Sequence, residues 1–260
     1  MNMTKSLMVN GQAVGGGKEP LVCTPLVART EAAVLAELAA VVGKQPDLIE
    51  WRVDFFEGIG DTARVVALAQ ELKKGAAGVP IIFTRRSTRE GGEPIAISEE
   101  QVLAMVQAVC AARCVEFVDY ELSSDPAHFR AALAAAHASG AQLIASFHNF
   151  KQTPPAAELV AKFVAMEEAG ADVAKIAVMP QAIDDVLTLL GATLEANRRI
   201  KPAIISMSMG PYGSLSRLFG WAFGSAVSFA VGAKASAPGQ VPIEDLRSVL
   251  DILHRALAPQ

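Results

Sequence analysis

The chain predicts an α/β fold, a single (β/α)8 TIM barrel, on three observations. From Pro20 onward, eight short apolar runs alternate with eight amphipathic segments rich in alanine and leucine. No linker interrupts that series, so residues 20–260 read as one barrel domain. Several of the runs are apolar throughout, as strands are when helices cover one face and a packed interior fills the other. An open doubly wound sheet uses the same units and is the alternative.

Taken in order, residues 1–19 form a hairpin and linker assigned to the same domain. Strands at 6–9 and 12–14 flank Asn10-Gly11, a dipeptide suited to a two-residue turn. The hairpin can plug one end of a larger fold. Gly15-Gly16-Gly17 follows, but no helix comes after it, so it does not resemble a phosphate loop. Strands are expected at 21–24, 48–53, 80–84, 115–122, 142–147, 173–178, 203–207 and 226–231. Helices are expected at 31–42, 62–74, 98–112, 126–139, 156–169, 182–197, 214–223 and 243–257. Ser98-Glu99-Glu100-Gln101 fits a capping box, and Ser124-Asp125-Pro126 places a proline in a first helical turn.

Composition narrows the function. The chain has 260 residues, 52% of them hydrophobic, 19% charged and 6% aromatic, which suits a large core rather than a disordered chain. A net charge of -4 offers no basic footprint for nucleic acid or an anionic membrane. No apolar run reaches bilayer length, and the opening residues lack the pattern of a secretory signal. Cys23, Cys110 and Cys114 are odd in number and lack zinc spacing, so reduced thiols in a cytoplasmic protein are the expectation. Metal and nucleotide motifs are absent, and no cofactor is expected.

If the fold is a barrel, reactive groups belong at the C-terminal ends of the strands. Period-two alternation puts Glu50, Arg52 and Asp54 on one face of the second strand and Trp51 on the other, beneath the helices. Arg85, Arg86 and a loop through Glu90 end the third strand, Asp119 and Glu121 share a face of the fourth, and His148 ends the fifth. Lys175 sits inside the apolar sixth strand. Alone, it could snorkel from a strand end, sit in a structural ion pair, or serve as an amine nucleophile with depressed pKa. Five consecutive strands delivering ionisable groups of both signs instead describe a site for a polar, anionic small molecule. Arg217 follows the seventh strand, and the small-residue loop 234–240, after the eighth, can close as a lid.

Six blocks in this order resemble the type I 3-dehydroquinate dehydratases, lyases of the shikimate pathway. They are Glu50-Trp51-Arg52-x-Asp54, Phe83-Thr84-x-Arg86 with Glu90-Gly91-Gly92, and His148-Asn149-Phe150. The others are Lys175-Ile176-Ala177-x-Met179-Pro180, Ser206-Met207-x-Met209-Gly210 with Ser216-Arg217, and Ala235-Ser236-Ala237-Pro238-Gly239-Gln240. The resemblance implies conversion of 3-dehydroquinate to 3-dehydroshikimate by syn elimination of water through a lysine Schiff base, without a cofactor. Lys175 would form the imine, His148 would be the proton donor and acceptor, and Glu90 would orient His148. Glu50, Arg52, Arg86, Arg217, Ser236 and Gln240 would bind substrate, with Met207 and Phe229 as an apolar wall. Thr24 is a further candidate contact. The resemblance also implies a homodimer and a hairpin closing the bottom of the barrel. Phe147 and Pro211-Tyr212 depart from the usual residues without removing a reactive group. For the mechanism, nearby arginines are expected to lower the pKa of Lys175, and His148 is expected to titrate near neutrality. A barrel aldolase using the same lysine and a non-catalytic metabolite-binding barrel are the competing readings.

Overall fold

The computed structural model describes residues 4–257. Strands β1 (Leu7–Val9) and β2 (Gln12–Val14) pair antiparallel, with Leu7 opposite Val14. Asn10 and Gly11 both have positive φ, 51° and 76°, the backbone that a two-residue turn between twisted strands requires.

Eight parallel strands follow: β3 (Leu21–Leu26), β4 (Leu48–Arg52), β5 (Ile81–Thr84), β6 (Phe117–Glu121), β7 (Gln142–Asn149), β8 (Val173–Val178), β9 (Ala203–Ser208) and β10 (Val227–Phe229). Each pairs with the next up to β9, and β10 pairs back onto β3. The Ala226 N–H donates to the Ile204 carbonyl at 2.7 Å, so hydrogen bonding also joins the last two edges. That closure distinguishes the barrel from the open sheet, since a ring has no free edge.

Helices α1 (Glu31–Val42), α2 (Thr62–Gly75), α3 (Glu99–Ala111), α4 (Pro126–Ser139), α5 (Ala156–Glu168), α6 (Ile183–Arg199), α7 (Gly210–Phe219) and α8 (Ile243–Leu257) alternate with the strands. Among the described residues no helix is long and apolar enough to cross a membrane. Ser98 and Gln101 make the reciprocal capping bonds of α3, and the Asp125 carboxylate accepts the first N–H groups of α4 ahead of Pro126.

Some boundaries differ from expectation for local reasons. β4 stops at Arg52 because Val53–Phe55 form a 3-10 turn that swings Asp54 back onto Arg52. β7 runs on to Asn149 because its pairing with β8 continues, His148 facing Ala177 in the ladder. α7 starts at Gly210, earlier than 214, and 220–223 form a separate 3-10 turn.

Apolar packing divides into two shells. Outside the sheet, Trp51 packs its ring against Phe56 and Phe83 beneath the helices. Inside, Leu48, Ile82, Phe117, Ile144 and Val173 come from five consecutive strands and form a floor. Leu7 of the hairpin is fully buried against that floor. The Met8 N–H donates to Gln142 Oε1 at 3.1 Å, and Lys5 Nζ bonds the Ile200 carbonyl, so the hairpin closes the N-terminal end of the barrel. Cys23, Cys110 and Cys114 are buried and unbridged. Burial pushes the Cys110 and Cys114 thiols up to about 11, where the reactive thiolate is scarce at neutral pH.

Candidate active site

Alternation builds the site directly upon the apolar floor. Two residues beyond the floor on the same strands come Glu50, Thr84, Asp119, Ser146 and Lys175. Two residues further come Arg52, Arg86, Glu121 and His148. The barrel interior is therefore apolar below and charged above, and the charges meet the open C-terminal rim.

Lys175 is 3% exposed. Its Nζ donates to Asp119 Oδ2 at 2.9 Å and to Glu50 Oε1 at 3.2 Å, and lies 4.7 Å from the Phe229 ring centroid. Asp119 Oδ1 also accepts from Arg86 Nη2 at 2.7 Å and Ser146 Oγ at 2.6 Å, while Glu50 accepts from Thr84 Oγ1 at 3.0 Å. These contacts correct the expectation of a depressed lysine pKa. Burial lowers it and Arg86 lowers it further, but Asp119 and Glu50 together raise it, and the net shift is upward. Lys175 rests as an ammonium. Asp119 is held well below the usual carboxylate range: burial would raise it, but Arg86 and Lys175 outweigh burial.

His148 stands above this pair. Its Nδ1 lies 2.9 Å from Glu90 Oε2, which also accepts the His148 backbone N–H at 2.9 Å. Ser123 Oγ donates to the other Glu90 oxygen at 2.8 Å. Burial, with Arg86 and Lys175 nearby, pushes the imidazole well below its ordinary value rather than near neutrality. The ring is neutral. Glu90 moves the opposite way, up to about 7, through burial and the neighbouring Glu121 against the pull of Arg86.

The three arginines differ. Arg52 makes a two-pronged pair with Asp54, at 2.8 and 2.7 Å. Arg86 spends its donors on Asp119, Ser146 and Glu121; burial would lower its pKa, but Asp119, Glu121 and Glu90 outweigh burial and raise it, so it braces the acids as much as it serves as a ligand group. Arg217 has no carboxylate partner among the described residues. It donates to the Phe229 and Pro238 carbonyls at 3.3 and 3.2 Å, its Nε is unbonded, and burial lowers it to about 10. A buried guanidinium without an anion is suited to receive one. Ser216 fastens its helix to β9 by accepting the Ser208 N–H at 2.8 Å. Gly213 permits that approach, since a Cβ there would lie 2.2 Å from the Ser208 carbonyl oxygen.

In the loop after β10, the Ser236 N–H donates to Gln240 Oε1 at 2.9 Å and Gln240 Nε2 donates to Ser236 Oγ at 3.2 Å. Gly239, at φ 78°, rests against the Gly210 backbone. One pocket of about 450 Å³, counting its solvent-facing mouth, brings together Lys175, His148, Glu90, Glu50, Arg52, Arg86, Arg217, Ser236, Gln240, Met207 and Phe229. Thr24 does not line it; its hydroxyl is buried elsewhere without a partner. Phe147 points away and receives Lys162 Nζ 4.0 Å from its ring centroid. Tyr212 is 49% exposed on α7. Asp119 belongs to the inward charges that the strand pattern assigns to the site, but no motif gives it a role of its own. Alternation from Glu121 carried its placement. Sequence reasoning missed Ser146, Phe150 and Met209, of which the last two line the pocket.

The Type I 3-dehydroquinase family model matches residues 22–256. A 3-dehydroquinate dehydratase of Aromatoleum aromaticum is 66% identical over 257 residues, 99% of each chain. That of Albidiferax ferrireducens is 53% identical over 257 residues, 99% of this chain and 97% of its own. The crystal structure of the 3-dehydroquinate dehydratase from Geobacillus kaustophilus superposes with a TM-score of 0.96 at 44% identity, covering 99% of this chain and 100% of that one. The chain belongs to the type I 3-dehydroquinase family.

Proposed function

We propose that the protein is a 3-dehydroquinate dehydratase that works through a Schiff base on Lys175, with His148 as acid and base. The carrying observation is a buried lysine on the pocket floor beneath a neutral imidazole. Lys175 rests as an ammonium, so it must lose a proton before it attacks the C3 ketone. His148 is the neutral base of the pocket and can take that proton. Loss of water from the carbinolamine leaves an iminium that acidifies the C2 hydrogen. His148 removes this hydrogen and returns it to the departing hydroxyl, and hydrolysis of the imine releases 3-dehydroshikimate and restores the amine.

Glu90 sets the tautomer in this scheme. An ionised Glu90 accepts a proton-bearing Nδ1, which leaves Nε2 free as the base. Arg217, with an unbonded Nε and no carboxylate partner among the described residues, suits the substrate carboxylate, with Ser236 and Gln240 as lid donors and Met207 and Phe229 against the ring. A fixed carboxylate grip favours dehydration of a carboxylated ring over aldol cleavage. The test is borohydride in the presence of 3-dehydroquinate, followed by mass analysis of the peptide bearing Lys175. An adduct is expected. Its absence, with no dehydroshikimate absorbance from untreated protein, would sink the reading.

We also propose that the protein is a homodimer and that hairpin and barrel are one domain. The adjacent helices α6 and α7 expose Ile183, Leu187, Tyr212, Leu215 and Phe219, an apolar face of the kind that a second copy covers.

A further inference from the structure

The segment between β5 and α3 carries Glu90. It leaves the rim at Arg86 and returns at Glu93, and its ends meet closely. The Gly92 N–H donates to the Ser87 carbonyl at 2.8 Å, and a Cβ on Gly92 would lie 1.9 Å from the Arg86 carbonyl oxygen. One side chain from another strand spans this junction. Asp54, in the turn after β4, has a carboxylate with 0% exposure that accepts four hydrogen bonds. Oδ1 takes Arg52 Nε at 2.8 Å and the Arg86 N–H at 3.3 Å. Oδ2 takes Arg52 Nη2 at 2.7 Å and the Glu93 N–H at 3.1 Å.

Asp54 does not line the pocket, but what it holds does. Arg52 presents its guanidinium there, and the loop closed by Asp54 places Glu90 against His148. We propose that Asp54 is a positioning residue for the dehydration, setting the substrate-binding Arg52 and the loop of Glu90 on one carboxylate. Substrate grip and imidazole orientation are thereby fixed together. This rests on the Schiff-base reading above.

Asparagine at this position keeps the shape but turns one oxygen into a donor, which faces either the Arg52 prong with the Glu93 N–H or the Arg52 prong with the Arg86 N–H. The loop keeps a second anchor, because Glu121 accepts the Ser87 N–H at 2.7 Å and Ser87 Oγ at 2.6 Å. Asp54→Asn should therefore fold and lose precision at the Glu93 edge.

The test is a double-mutant cycle of Asp54→Asn with Glu90→Gln, read as kcat and KM. Asp54→Asn is expected to lower kcat by about 10- to 100-fold, the usual cost of misplacing a catalytic group, and to raise KM through Arg52. In the Glu90→Gln background the kcat loss should shrink to less than about twofold, because coupled residues are not additive. Glu93→Ala should leave kcat unchanged, since its backbone rather than its side chain meets Asp54. Wild-type kcat and KM in Asp54→Asn overturn the proposal, and so does a full, additive loss in the double variant, which marks a merely structural role. If Asp54→Asn does not fold, hydrogen exchange on the wild-type protein decides: the Arg86 and Glu93 amides must be protected, and exchange at open-loop rates overturns the assignment. A wild-type protein with neither turnover nor a Lys175 adduct sinks the dehydratase reading and takes this proposal with it. Wild-type turnover with an unaltered Asp54→Asn sinks the positioning role alone.

Discussion

A lysine held between two carboxylates is a weak nucleophile until something displaces them, and Lys175 is in that state. Its raised pKa means that the stability it contributes is present below its unfolded value of 10.5 and is lost as pH rises through the higher folded value. Lys175→Ala should abolish turnover and borohydride trapping while substrate still binds. Because Glu50 and Asp119 would then be buried without their cation, the variant should lose about 3–5 kcal/mol of unfolding free energy in urea. A loss under about 1 kcal/mol would show that the carboxylates find other partners. Glu90 and His148 make a second residue-scale prediction. The base form of His148 needs an ionised Glu90, so kcat/KM should rise with pH through about 7, where Glu90 loses its proton. In Glu90→Gln that limb should move to lower pH, since the imidazole alone is held well below its ordinary range. A wild-type profile flat between about pH 6 and 8 would contradict this tautomer scheme. By linkage, the folded protein binds more protons at Glu90 than the unfolded chain between pH 4.5 and about 7, so this group's share of stability falls as pH rises through that window.

Among the elements, the N-terminal hairpin is the smallest that matters to the whole. Two strands alone are marginal in water, so β1 and β2 draw stability from Leu7 on the barrel floor. Leu7→Ala should cost about 2–5 kcal/mol of unfolding free energy, by loss of transfer energy and the cavity left behind. Unfolding should stay a single transition with kcat unchanged, because Leu7 lies at the opposite end of the interior from Lys175. A separate, earlier transition for the hairpin would show that it is not part of the same domain. At the other end, β7 illustrates how pairing outruns local preference. The apolar run of β7 stops at Phe147, yet the ladder to β8 carries His148 into the strand and so holds its imidazole over Lys175.

At the scale of the molecule, the exposed apolar face on α6 and α7 is the feature an isolated barrel explains least. Leu187 is 63% exposed, and Tyr212 and Leu215 on the next helix are also solvent-facing. If the proposed homodimer forms through this face, Leu187→Asp should leave the protein a monomer by sedimentation equilibrium. A wild-type protein that is monomeric, or a variant that stays dimeric, would remove this face as the interface. Since α7 also carries Arg217, dimerisation would brace the helix that presents the anion-binding guanidinium.

Much of this was legible in the chain. Strand–helix alternation predicts the barrel over an open sheet of the same units, which only the observed closure rules out, and period two predicts which of Glu50, Trp51 and Arg52 face inward, because both follow from backbone geometry repeated over a few residues. The six motif blocks carry ten of the candidate site residues, and these ten line one pocket together with Phe229, whereas Thr24 does not. Tertiary structure alone decided how those charges pair. Asp119 and Lys175 are 56 positions apart and Asp54 and Glu93 are 39 apart, so no local pattern reports which oxygens reach which donors. The direction of the Lys175 shift turned on that pairing. Burial and the neighbouring Arg86 both argue for a depressed value, but two carboxylates within hydrogen-bonding distance outweigh them together, because the interaction of charges depends on separation and burial.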